Sequence, residues 1–95
     1  MVVGVLRMTL LLHAPQNLKE KRGIVQKILH RCRNRYPVSG AETGSQNLWQ
    51  KSELGFVMVS NDEKLIDPIF QRMLEDVSAS GLAEVFQDEV EYIHL

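Results

Sequence analysis

The sequence predicts an α+β domain: a four-stranded antiparallel sheet with two helices on one face. Three observations carry this. The segments follow the order βαββαβ. Two strand segments are apolar on both alternating faces, which marks them as central. Both helical segments open on a capping residue. Two right-handed βαβ crossovers joined by a hairpin give the ferredoxin-like split βαβ architecture, in which the first and third strands are central.

The first strand is read as Val2 to Leu12. One face carries Val2, Leu6, Met8, Leu10 and Leu12; the other carries Val3, Val5, Arg7, Thr9 and Leu11. Nothing in this run reads as a basic leader or a cleavage site. It is far shorter than the roughly 20 residues of a membrane helix. His13-Ala14-Pro15-Gln16 ends it. Asn17 is the expected N-cap of the first helix, with Glu20 at the capping-box spacing. From Val25 the spacing of Ile28, Leu29, Cys32 and Tyr36 is that of an amphipathic helix. Pro37 stops it, because the residue before a proline is pushed out of helical conformation.

Val38 to Thr43 reads as a short strand, and its Gly40 assigns it to an edge or a bulge. Gly44-Ser45-Gln46-Asn47 is a turn. A strand resumes near Gln50 and runs to Ser60. Leu54, Phe56 and Met58 share one face; Gly55, Val57 and Val59 share the other. The second helix begins at Asp62 and continues through Pro68, since its apolar spacing starts already at Leu65 and Ile66. Gly81 is its expected C-terminal cap. Leu82 to Leu95 is the last strand, acidic at its centre as suits an edge.

With 95 residues the chain is expected to be one domain, 1–95. Its net charge is −1, and its 44% hydrophobic fraction is that of a globular protein rather than a disordered one. One cysteine excludes an internal disulfide framework and a multi-cysteine zinc site. It also fits a reducing, cytoplasmic compartment.

No catalytic signature is present, and no metal or cofactor is expected. His13, His30 and His94 fall in three different elements without ligand spacing. Cys32 sits at an inward helical position and reads as a small core residue. Neighbouring carboxylates such as Glu75-Asp76 and Asp88-Glu89 point in different directions. An enzyme would need converging polar groups in a pocket. Ser52, Glu53, Asn61 and Asp62 are the one cluster on offer.

The first helix holds the strongest signal. Lys19, Lys21, Arg22, Lys27, Arg31, Arg33 and Arg35 lie on it against a single acid, Glu20. Lys27, Arg31 and Arg35 recur at i, i+4 and i+8, and such like-charged pairs repel by roughly 0.2–0.5 kcal/mol each. An anionic counterpart is implied. It is either a nucleic-acid backbone or the carboxylates of the second helix, Asp67, Glu75 and Asp76. A second signal is the open sheet face, where Val3, Val5, Leu11, Val57 and Val59 form an apolar patch suited to a homodimer or another protein. The stacking aromatics of RNA-recognition sheets are missing there, and Phe56 points toward the helices. Trp49 is either a binding anchor or a cap on one end of the core.

Several motifs together resemble the YlxP-like bacterial family of unknown function. They are Leu18-Lys19-Glu20-Lys21-Arg22, Arg33-Asn34-Arg35, Ala41-Glu42, Leu48-Trp49-Gln50-Lys51 and Ser60-Asn61-Asp62. The resemblance spans nearly the whole chain and implies a ferredoxin-like fold. It supplies no activity and no catalytic residues. Genes of such proteins often neighbour those for translation initiation and ribosome maturation, which implies a cytoplasmic role near ribosome assembly. Ser45 stands where relatives often carry histidine, and Asn47 where they often carry an acid. Both departures speak against an acid/base pair or a metal in the hairpin.

The expectation is therefore a non-enzymatic binding module in which Lys19, Lys21, Arg22, Lys27, Arg31, Arg35 and Trp49 face RNA or an acidic protein. The alternative is a structural or regulatory homo-oligomer built on the sheet face, with no nucleic-acid role. The net charge of −1 does not oppose an anionic partner. Residues 1–36 carry a net +7, residues 37–61 a net −1 and residues 62–95 a net −7.

Overall fold

Every alternate residue of the first strand from Val2 to Leu12 is driven inward by its apolar side chain or, at Gly4, by the lack of one. That alternation sets the whole architecture. The computed structural model describes all 95 residues. Its elements are β1 Val2–Leu11, α1 Leu18–Arg35, β2 Ser39–Gly44, β3 Lys51–Ser60, α2 Glu63–Ala79 and β4 Glu84–His94. The strands form one antiparallel sheet in the order β2-β3-β1-β4. The two central strands are thus the two with apolar residues on both faces.

β1 and β3 pair from Val2 opposite Ser60 to Leu11 opposite Lys51. β4 pairs along the other side of β1, from Val2 opposite His94, and shifts register between Thr9 and Leu10. β2 is a short edge strand with its own register shift between Glu42 and Gly44. Both helices cover the same sheet face. The core joins Leu6, Met8 and Leu10 of β1 and Leu54, Phe56 and Met58 of β3 to Val25, Ile28, Leu29 and Cys32 of α1 and to Ile66, Phe70, Met73 and Val77 of α2. Burying one such side chain stabilises the fold by about 1.5–3 kcal/mol.

The helix ends follow local chemistry. The Asn17 side chain accepts a hydrogen bond from the backbone N–H of Glu20 at 2.9 Å. Asp62 caps α2 by accepting from the N–H of Lys64 at 2.9 Å. α2 continues through Pro68 and ends at Ala79, with Ser80 rather than the expected Gly81 as its C-cap; Gly81 follows it at a φ of 73°, a conformation open to glycine. Gly4 sets how closely α2 approaches the sheet. A Cβ there would lie 2.6 Å from Cγ2 of Ile66 and 3.0 Å from the Phe70 ring. No helix is long and apolar enough to cross a membrane.

Candidate functional site

The seven cations of α1 separate into three groups, and the helical period decides which is which. Val25, Ile28 and Cys32 define the buried stripe. Four residues before Val25 the same stripe reaches Lys21, whose side chain is fully buried. Its ammonium lies 2.6 Å from the Glu42 carboxylate and donates to the backbone oxygen of Ser45 at 2.8 Å. Glu42 and Ser52 occupy inward positions on the facing strands, and the Ser52 hydroxyl donates to Glu42 at 2.6 Å. Lys21 therefore does not face a partner, contrary to the sequence expectation. Its charge is neutralised inside the fold, where a buried cation persists only when paired.

This cluster also holds the hairpin. Ser45 adopts a φ of 58°, the left-handed region, which costs a non-glycine residue about 1–2 kcal/mol. Its carbonyl is bound by Lys21, and its hydroxyl donates to Glu53 at 2.8 Å. Gln50 accepts from the N–H of Leu12 at 2.8 Å. The tip between these anchors presents Leu48, 52% exposed, and Trp49, 44% exposed. Trp49 lies outside the hydrophobic core.

Arg31 and Arg35 form the second group. Arg31 Nε donates to Asp76 at 2.7 Å and Arg35 Nη1 to the same carboxylate at 3.1 Å. The Tyr36 hydroxyl adds a third bond at 3.1 Å. Burial by itself pushes the Asp76 carboxyl up, but the bonds from Arg31, Tyr36 and Arg35 outweigh it and hold the group below the usual carboxylate range. Burial, then the bond to Asp76, raises the Tyr36 phenol. Cys32, beneath this knot, is pushed up to about 11, first by burial and then by the nearby Asp76 charge. Of the three carboxylates on α2 that sequence offered as counter-charges, Asp76 alone meets the arginines. Asp67 instead accepts from Tyr92 at 3.3 Å.

Lys19, Arg22, Lys27 and Arg33 form the third group. All four are exposed, and none makes an ion pair. Gln26, His30 and Asn34 lie among them on the solvent side, and Glu20 borders the face on the Lys27 side. Glu20, the helix's one acid, turns back to accept from the N–H of Gln16 at 3.0 Å. Arg33, which the i, i+4, i+8 stripe omits, joins this group without an acid partner and donates to the backbone oxygen of Gly40 at 3.5 Å.

The polar residues that an enzyme reading drew together are not together. Ser52 and Glu53 lie at one end of β3, while Asn61 and Asp62 follow its other end. His94 and His13 each meet a single glutamate, Glu63 at 2.9 Å and Glu84 at 3.3 Å. On the open side of the sheet, Arg7 sits 3.4 Å from Glu91 and 3.6 Å from Glu89.

The fold is similar to several solved structures, three of which match over nearly their whole length. A structural-genomics protein named YJCS matches with TM-score 0.57 and 14% identity, over 97% of this chain and 99% of that one. The designed protein Foldit4 matches at 0.54 and 17%, over 99% and 97%. An antibiotic biosynthesis monooxygenase matches at 0.51 and 10%, over 100% and 98%. Identities this low establish a shared fold and nothing about chemistry. In sequence, the uncharacterized protein YlxP of Bacillus subtilis (strain 168) is 32% identical over 73 residues, covering 77% of this chain and 79% of that protein. The family model described as a protein of unknown function, DUF503, matches residues 3–90. The chain belongs to this family, the one that includes YlxP.

Proposed function

We propose that this protein is a small non-enzymatic binding module that docks structured RNA on the solvent face of α1, in the cytoplasm and in the setting of translation or ribosome maturation. One observation carries the reading. Lys19, Arg22, Lys27 and Arg33 are exposed on one side of α1 and none is paired with a carboxylate, while the remaining cations of the helix are already neutralised by Glu42 and Asp76. Like charges gathered without a counter-ion weaken a helix. A phosphate backbone removes that repulsion and releases its own condensed ions.

The hairpin is tied to the N-terminal end of the same helix. The bond from Lys21 to Ser45 ties the tip to the first turns of α1, beside Lys19 and Arg22. Trp49, half exposed there, offers an unpaired base a stacking surface worth about 1–3 kcal/mol. Lys51 follows two residues on. RNA recognition on this side leaves the sheet face free, and it does not need the aromatics that the sheet lacks.

Titration of a fluorescent RNA hairpin over a range of salt tests the reading. With about four phosphates neutralised, log K should fall against log salt with a slope near −3. Reversing both Lys19 and Arg22 to Glu should weaken binding more than about tenfold and flatten the slope by about 2. Replacing Arg31 and Arg35 with Ala should leave the slope within about 0.5, since Asp76 already holds them. No binding at low salt sinks the proposal. So does a slope that responds to Arg31 and Arg35 as strongly as to the outer row. Binding to polyglutamate but not to RNA would assign the face to an acidic protein instead.

A further inference from the structure

We propose that a hollow beside Gly23, on the outer side of α1, takes one unpaired guanine of the bound RNA; this rests on the RNA reading of the same helix and gives it a base preference.

A glycine inside a helix weakens it, because glycine gives up more backbone freedom on folding than any other residue. Gly23 lacks both of the reasons that usually hold a glycine in place. It lies within α1 and has no positive φ, and a Cβ built on it would meet nothing within 4 Å. The fold does not require it. What it does is open a hollow of about 300 Å³, lined by Ala14, Pro15, Glu20, Gly23, Ile24 and Lys27. Ala14, Pro15 and Ile24 give this hollow an apolar surface, on which a flat ring is withdrawn from water.

Two charged groups of opposite sign frame it. Glu20 precedes Gly23 by three residues and Lys27 follows it by four. Both therefore stand on the glycine's side of the helix, about 10 Å apart along its axis. One carboxylate oxygen of Glu20 accepts from the backbone N–H of Gln16 at 3.0 Å, and the other has no partner in the chain. Lys27 is exposed and makes no ion pair.

Guanine matches both groups. Its N1–H and N2–H are adjacent donors, and its O6 and N7 are acceptors on the far side of the ring. A carboxylate only accepts and an ammonium only donates, so Glu20 takes the donor edge and Lys27 the acceptors. Uracil sets carbonyl oxygens on both sides of its one N–H. Adenine and cytosine set a ring-nitrogen acceptor beside their amino group. Each of the three turns an acceptor toward the carboxylate. The donor edge of guanine is free only in an unpaired nucleotide, the form in which RNA sequence is read. Lys19, four residues before Gly23, and Arg22 remain exposed for the flanking phosphates. The one acid of α1 repels phosphate, but here it selects the base.

Fluorescent RNA hairpins with one stem and a loop of uracils, with or without a single guanine, test this at fixed salt. The wild type should bind the guanine loop at least about tenfold tighter than the all-uracil loop. Gly23→Leu fills the hollow with a better helix former. It should melt no lower than the wild type, yet bind the two loops within about threefold of each other. Glu20→Gln keeps its place in the helix cap, where glutamine also serves. It should erase the preference while binding the all-uracil loop no more weakly than before. Equal affinity of the wild type for the two loops, with the salt dependence intact, overturns the guanine site and leaves the RNA face standing. A guanine preference that survives either substitution overturns it as well. No RNA bound at low salt removes both.

Discussion

The ammonium of Lys21 lies 2.6 Å from the carboxylate of Glu42, with the lysine side chain wholly out of solvent. The contact joins the first turn of α1 to the edge strand β2, across twenty-one positions of sequence. Two of the motifs that carry the family resemblance thus meet in space. Removing either partner leaves a charge behind. Lys21→Met alone should destabilise the protein by about 3 kcal/mol in urea denaturation. Combining it with Glu42→Gln should recover at least about 1 kcal/mol of that loss, a coupling that a double-mutant cycle measures directly.

Asp76 makes stability fall in acid. Its carboxyl is held below the usual range, so the unfolded chain takes up this proton at higher pH than the folded one. The contribution is complete above the ordinary carboxylate pKa of 3.8 and is lost as the pH falls through the lower folded value. Asp76→Asn should flatten the fall in melting temperature below about pH 4 and cost about 2 kcal/mol at neutral pH. An unchanged acid limb would mean that other carboxylates govern it.

Cys32 should be inert in the native state. Burial and the Asp76 charge push its thiol up to about 11, and only the thiolate attacks disulfide reagents. Labelling with a chromogenic disulfide at pH 8 should proceed no faster than global unfolding. Adding urea below the midpoint should accelerate it in step with the unfolded population.

Gly4→Ala should cost about 1–3 kcal/mol, since the new methyl group meets Ile66 and Phe70 where α2 crosses β1. Gly23→Ala, on the open side of α1 with nothing within 4 Å, should instead stabilise by about 0.5–1 kcal/mol. Thermal melts of the two variants should shift in opposite directions.

Trp49 should report on the hairpin tip. As the chain's one tryptophan and 44% exposed, it should be quenched readily by acrylamide. Trp49→Ala should change stability by less than about 1 kcal/mol, because a surface side chain outside the core holds little of the fold together.

Local signals were the most legible. Asn17 and Asp62 cap their helices because capping depends on a few neighbouring residues. The central strands were visible because burial on both faces removes the polar alternation. Charge is a poorer guide, because it does not imply exposure. Lys21 continues the stripe of Val25, Ile28 and Cys32, and Ser52 continues that of Leu54, Phe56 and Met58. Periodicity placed both inward, yet their polarity masked it. The choice of Asp76 over Asp67 and Glu75 depends on how α2 is rotated against the sheet. That rotation comes from tertiary contacts such as Ile66 and Phe70 on Gly4, which no local pattern encodes. Trp49 lies in an irregular tip, where no period exists to assign it a side.

The strand order has an electrical consequence. α1 lies over the β2 side of the sheet, and the carboxylates of β4 line the opposite edge. A chain of net charge −1 feels almost no force in a uniform field, but one so polarised feels a torque. Near a polyanion, within the roughly 8–10 Å over which salt leaves fields unscreened, the molecule turns before it touches. It presents the helix and holds the acidic strand away. On the RNA-binding proposal, near-neutrality limits non-specific attraction and the dipole orients the encounter.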